Sequence, residues 1–124
     1  MVEARQMAEK IARILYKKKA EDILVLDVSG MTVITEFMVI ASGRNFLQTK
    51  ALADDVDDAL AEEGIALRAR EGKDEGKWIV LDYGSVLVHL FHPEDREFYH
   101  LERLWDDGKN RIEMNFEPDE PNVP

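Results

Sequence analysis

Several side chains in this sequence carry chemistry beyond folding: the acids Asp27 and Asp82, the imidazoles His89 and His92, the serines Ser42 and Ser85, and Trp78 at the head of "WIVLDYGSVLVHLF". Metal-assisted nucleotide transfer needs two or three carboxylates converging on a divalent cation, usually a pair one residue apart on a strand so that both face one way. Asp27 and Asp82 are each single, with Val25 and Val80 standing where a second carboxylate belongs. A metal site built from His89, His92 and Glu94 or Asp95 is opposed by parity, because His89 and His92 face apart in a continuing strand. Ser42 and Ser85 follow ordinary turn patterns and not the strained elbow of a nucleophilic serine. Cysteine is absent, which excludes a thiol nucleophile, a disulfide and a zinc thiolate site. The expectation is a chain without catalytic residues, metal or cofactor.

Binding is the other chemistry on offer. A two-residue turn at Gly84 and Ser85 places Tyr83 opposite Val86 and divides the hairpin into two faces. Ile79, Leu81, Tyr83, Val86, Val88 and Leu90 form an apolar face suited to a core. Trp78, Val80, Asp82, Leu87, His89 and Phe91 form the other, too apolar for idle solvent exposure and too polar for burial without partners. One reading makes this mixed face a docking surface, with aromatic anchors and a carboxylate that orients a basic partner. The other has Trp78 and Phe91 covered by a helix of the same chain and Asp82 capping a turn.

The elements that must position these residues follow from periodicity. Met7, Ile11, Ile14 and Leu15 recur at helical spacing from Val2 to Lys19, and Lys17, Lys18 and Lys19 suit the negative end of that helix. "DILVLDV" (Asp22 to Val28) and "FMVIAS" (Phe37 to Ser42) read as strands. Asn45 is the expected N-cap of a helix reaching Glu63, with Leu52, Val56, Ala59 and Leu60 on one stripe and Gly64 as the left-handed stop. Its acidic side, Asp54, Asp55, Asp57, Asp58, Glu62 and Glu63, reads as a solvated face. "IALRAR" (Ile65 to Arg70) reads as a further strand and "EGKDEG" as a turn. Pro93, Glu94 and Asp95 open a last helix to about Trp105, with Phe98, Leu101 and Trp105 inward and Tyr99 beside the mixed face. Residues 1–105 thus make one α/β domain, a mixed five-stranded sheet flanked by helices. From Asp106 the acids and three of the four prolines suggest a mostly disordered tail, 106–124.

The 124 residues suffice for a single core. A net charge of −10, from 26 acidic and 16 basic residues, disfavours a direct grip on a phosphate backbone and suits a basic protein partner, so no direct sequence-specific nucleic-acid binding is expected. No window approaches a membrane span and the charged N-terminus has no secretory pattern, so the expected location is the cytoplasm, with no membrane partner.

"DILVLDVSGMTVITEFMVIASG", "QTKALADDVDDAL" with "EEGI", "EGKDEGKWIVLDYGSVLVHLF" and "REFYHLERLW" together resemble the ribosomal silencing factor (RsfS, or Iojap-like) family, from about Glu21 to Trp105. The resemblance implies a nucleotidyltransferase-like α/β fold, working as a monomer or a homodimer. It implies binding to the large ribosomal subunit through universal ribosomal protein L fourteen, which sterically blocks subunit joining and represses translation when nutrients run short. Carried over residue by residue, it implies a partner surface of Trp78, Ile79, Asp82, Tyr83, His89 and Tyr99, two of which, Ile79 and Tyr83, fall on the side assigned to the core. Where family members often have T-G-T-S, this chain has S-G-R-N-F-L-Q, and no role is transferred to that loop. A nucleotidyltransferase-like enzyme acting on a nucleotide is the rival class.

Overall fold

A computed structural model describes residues 3–73 and 77–116. The element order is α1 (Ala4–Lys17), β1 (Glu21–Asp27), β2 (Phe37–Ser42), α2 (Phe46–Glu62), β3 (Ala69–Lys73), β4 (Trp78–Asp82), β5 (Val86–Phe91), α3 (Pro93–Tyr99) and α4 (Glu102–Trp105). The strands form one mixed five-stranded sheet in the order β1-β2-β5-β4-β3. β2 and β5 run parallel, and the other neighbours are antiparallel.

Each face of the sheet has its own apolar cluster, because strand side chains alternate. α1 contributes Met7, Ala8, Ile11, Ala12 and Leu15 to the larger one, and α2 contributes Leu52, Ala53, Val56 and Leu60. These stripes cover Val25, Val39 and the hairpin residues Ile79, Leu81, Tyr83, Val86, Val88 and Leu90. The smaller cluster, on the opposite face, gathers Leu26, Val28, Met38, Ile40, Phe91 and Leu101, with Trp78, Leu87 and Trp105 packed at its margin. The short helices α3 and α4 lie on that side.

Helix α2 starts as its sequence dictates: the Asn45 side chain accepts the Gln48 backbone N–H at 2.8 Å, which satisfies one orphan donor of the first turn. Gly64 follows the helix with φ +80°, the left-handed conformation that glycine adopts without strain. The hairpin turn also forms at Gly84 and Ser85, with the Tyr83 N–H donating to the Val86 carbonyl at 3.0 Å.

Three expectations need correction. The third strand runs Ala69–Lys73 and not over Ile65 to Arg70, because pairing with β4, Gly72 opposite Ile79, outweighs the local apolar pattern. The expected "EGKDEG" turn is therefore strand through Lys73, and residues 74–76 lie outside the described residues. The last helix is two short ones, broken where His100 turns left-handed at φ 49°.

The third correction concerns the segment after Asp106. Residues 110–112 lie antiparallel to β1: the Asp27 N–H donates to the Asn110 carbonyl and the Ile112 N–H to the Val25 carbonyl, both at 2.8 Å. Ile112, Met114 and Phe116 pack on the larger cluster, and Phe116 stacks on Tyr16 at 4.5 Å. This strap covers the open edge of β1, which would otherwise offer unpaired backbone groups. The rest of the expected tail, 117–124, lies outside the described residues.

Candidate binding face

The mixed face of the hairpin is built around Trp78. In the β4–β5 register Trp78 lies opposite Phe91, Val80 opposite His89 and Asp82 opposite Leu87, so all six share one side of the sheet. The indole is half-buried, stacked on Phe91 at 4.9 Å and tilted against Tyr99 at the same centroid distance. Its Nε1–H donates to His89 Nδ1 at 3.1 Å. Three aromatic or imidazole partners thus fix an indole whose outer surface stays open.

His89 lies beneath the tryptophan at 6% exposure. Burial disfavours the charged imidazolium and lowers its pKa from 6.5 to about 4. The ring is therefore neutral at pH 7, as its acceptor role at Nδ1 requires, with the proton on Nε2. It holds the indole from beneath and exposes almost none of its own surface.

Asp82 is half-buried, and its Oδ1 accepts the Gly84 N–H at 2.7 Å across the tight turn. Gly84 itself is required there: φ is +87°, and a Cβ would come within 2.9 Å of the Arg68 guanidinium. Asp82 does cap a turn and Phe91 is covered within the chain, yet Trp78, Val80, Asp82 and Leu87 are not sealed by it.

Tyr99, 44% exposed, reaches the face from the end of α3. His92 caps that helix, accepting the Glu94 N–H at Nδ1, and Pro93 fills the first position. Arg96 is buried and anchors the α3–α4 corner: Nη1 donates to Ser42 Oγ and Nε to Glu102 Oε2, both at 3.0 Å. Leu101 plugs the smaller core just after the left-handed His100. Sequence reading missed this corner, whose only local signal is the capping pattern of His92 and Pro93.

Of the residues expected at the site, the structure brings Trp78, Asp82, His89 and Tyr99 to this side. Ile79 and Tyr83 are on the other side, 4% and 6% exposed among the side chains that α1 and α2 cover. The Tyr83 hydroxyl lies 3.5 Å from Asp57 Oδ1, and burial together with that carboxylate raises its pKa well above the usual phenol range. Phe98, expected to point inward, is 79% exposed and packs edge-on against Tyr99 at 5.1 Å. Buried Arg96 takes the inward place instead. Leu104 on α4 and Met31 in the β1–β2 loop are also exposed.

The new position of β3 adds an acid to the face. Glu71 pairs with Val80 and so shares its side. Glu71, Gly72, Trp78 and Val80 line a hollow of about 270 Å³ beside the indole. Among the described side chains the face is therefore an aromatic anchor, apolar neighbours and two carboxylates, Glu71 and Asp82.

For catalysis the arrangement is poor. Asp27 shares the parity of Val25, on the side covered by α1, so it and Asp82 do not converge. Asp27 accepts the Ser29 N–H and hydroxyl at 3.0 and 2.6 Å, and those bonds lower its pKa. Among the described residues no three His, Asp or Glu side chains gather as a metal site.

Comparison with known proteins agrees with the residue pattern. The family model described as "Ribosomal silencing factor during starvation" matches residues 1–123. The chain is 41% identical over 91 residues to ribosomal silencing factor RsfS of Bacillus subtilis, spanning 73% of this chain and 77% of that one. It is 34% identical over 115 residues to the chloroplastic protein Iojap of Arabidopsis thaliana, spanning 93% of this chain and 48% of that one. A crystal structure of a Chromobacterium violaceum protein superposes with a TM-score of 0.81 at 31% identity, covering 98% of this chain and all of the other.

Proposed function

Because the chain belongs to the ribosomal silencing factor family, we propose that it docks on the large ribosomal subunit through the mixed face, with universal ribosomal protein L fourteen as partner. Occupying that protein's surface then blocks joining of the small subunit and represses translation when nutrients are limiting. The observation that carries this reading is the half-open indole of Trp78, pre-set by His89, Phe91 and Tyr99 and flanked by Glu71 and Asp82. A rigid aromatic surface loses little rotamer entropy on docking, and the carboxylates favour a basic protein partner. Trp78, Asp82 and Tyr99 make the contacts. His89 supports them from below, and Ile79 and Tyr83 act only through the packing that keeps β4 straight. The factor works by occupancy and not by catalysis, in the cytoplasm where subunits meet.

The test is a pair of measurements on the charge-neutral variant Glu71→Gln/Asp82→Asn, in which the amide oxygen of the introduced asparagine retains the turn acceptor. Its affinity for purified large subunits should fall about tenfold or more, and its addition to a translating extract should no longer raise free subunits at the expense of joined ribosomes. Wild-type protein that leaves the subunit profile unchanged contradicts the blocking mechanism.

A further inference from the structure

The mixed face is not the only surface organised for contact. At the adjoining end of the sheet, the Gln48 amide lies 3.4 Å from the Lys18 and Lys19 carbonyls, while its Oε1 accepts the Arg44 N–H at 2.6 Å. This ties the end of α1 to the start of α2. Gly43 N–H donates to the Phe91 carbonyl, and His92 N–H to the Lys77 carbonyl, both at 3.0 Å, so Lys77 joins the same end. Phe46 stacks on His92 at 4.3 Å and remains partly exposed beside exposed Leu47. Lys50 lies one turn along α2 from Phe46.

Lys17, Lys18, Lys19, Arg44, Lys50 and Lys77 are all exposed, and none makes an ion pair among the described residues. Elsewhere among the described residues Arg5, Lys10, Arg13, Arg70, Arg96 and Arg111 are each paired with a carboxylate, and the cations without an ion pair, Arg68 before β3, Arg103 on α4 and Lys109 after it, do not form a group of this size. Among the described residues the acids at this end include Glu21 and Asp22 at the start of β1 and Glu94 and Asp95 at the start of α3, and Asp95 already faces His92 at 3.7 Å. Among the described residues of a chain of net charge −10, six of the cations without an ion pair thus gather at one end. That end borders Trp78, which follows Lys77 directly.

We propose that this basic end grips the sugar-phosphate backbone of a structured RNA next to the protein on which the mixed face docks. The inference rests on the ribosomal reading above. Dispersed, unneutralised cations match a phosphate track, and Phe46 with His92 offers a stacking surface for an unpaired base. An acidic protein segment would satisfy the charges but would make no use of that aromatic pair. Because the net charge argues against nucleic acid as a sole ligand, the RNA contact is secondary: it sets orientation and salt dependence while the mixed face supplies identity.

The experiment measures affinity of the full chain for purified large subunits across a salt series of about 50 to 200 mM. Lys18→Gln/Lys19→Gln/Arg44→Gln should flatten the plot of log K against log salt by about 2. Arg5→Gln/Lys109→Gln, remote from this end, should keep the wild-type slope, and Trp78→Ala should weaken binding with the slope retained. A photo-crosslinker at Phe46 should capture ribosomal RNA. An unchanged slope in the triple variant, or capture of protein alone, overturns the RNA contact while leaving the mixed face standing. Failure of wild-type protein to bind subunits overturns both.

Discussion

Trp78 and Ile79 are consecutive in β4 but end in different environments. Ile79 turns toward α1 and α2, whose apolar stripes cover it. Trp78 turns toward the side where the short helices α3 and α4 pack, and its indole stays half-open above a neutral imidazole. Strand alternation alone separates the two, so every second residue of the hairpin enters the larger core, while on the other side Phe91 and His89 are buried and Trp78, Val80, Asp82 and Leu87 stay partly open. The covered face tolerates little change in volume, because it is close-packed. On the other face, tolerance of such change belongs to the partly open Trp78, Val80, Asp82 and Leu87 and not to buried Phe91 and His89.

Breaking the covered face should cost most. Leu81→Ala removes a fully buried side chain and should lower unfolding free energy by about 2–5 kcal/mol in a urea titration. Binding per folded molecule should be unchanged. A loss of binding in folded protein would show that the two faces are coupled.

The next effect comes from His89 and depends on pH. Its folded pKa of about 4 lies below the unfolded value near 6.5, so the folded state holds fewer protons than the unfolded state between these values. The stability it contributes is fully present above about pH 6.5 and is lost as pH falls toward 4, by an amount on the order of 3 kcal/mol. Urea midpoints at pH 7.5 and pH 5 should therefore differ more for wild type than for His89→Gln, in which no imidazole titrates. Equal pH dependence in the two proteins contradicts a buried neutral His89.

Smallest is the strap. Phe116→Ala removes the stack on Tyr16 and should cost about 1 kcal/mol, seen as a small fall in thermal midpoint with unchanged subunit affinity. A full loss of cooperativity would mean that the strap is part of the fold's nucleus.

How much of this was legible beforehand depended on where each signal resides. β2 was readable to its bounds, since "FMVIAS" is a short apolar run ended by Gly43, and Asn45 announces α2 by its own hydrogen bond. The division of the hairpin followed from its turn. β3 was not readable, because "AREGK" is an edge strand made of charge and glycine, held only by its pairing with β4. Glu71 was lost with it. The break at His100 has no glycine to mark it, and it reverses which of Phe98 and Arg96 faces inward. In the strap the alternation of Ile112, Met114 and Phe116 was present, but the surrounding acids and prolines masked it. The basic end was hidden by the chain's overall charge, since α1 and the start of α2 meet only in the fold.

The central claim is that Trp78 serves recognition while its neighbour serves the core. The most direct test compares Trp78→Ala with Ile79→Val for binding to purified large subunits, with folding checked by circular dichroism. The account predicts that folded Trp78→Ala binds about 30-fold or more weakly, while Ile79→Val is slightly less stable and binds as wild type does. Wild-type affinity in folded Trp78→Ala would contradict it.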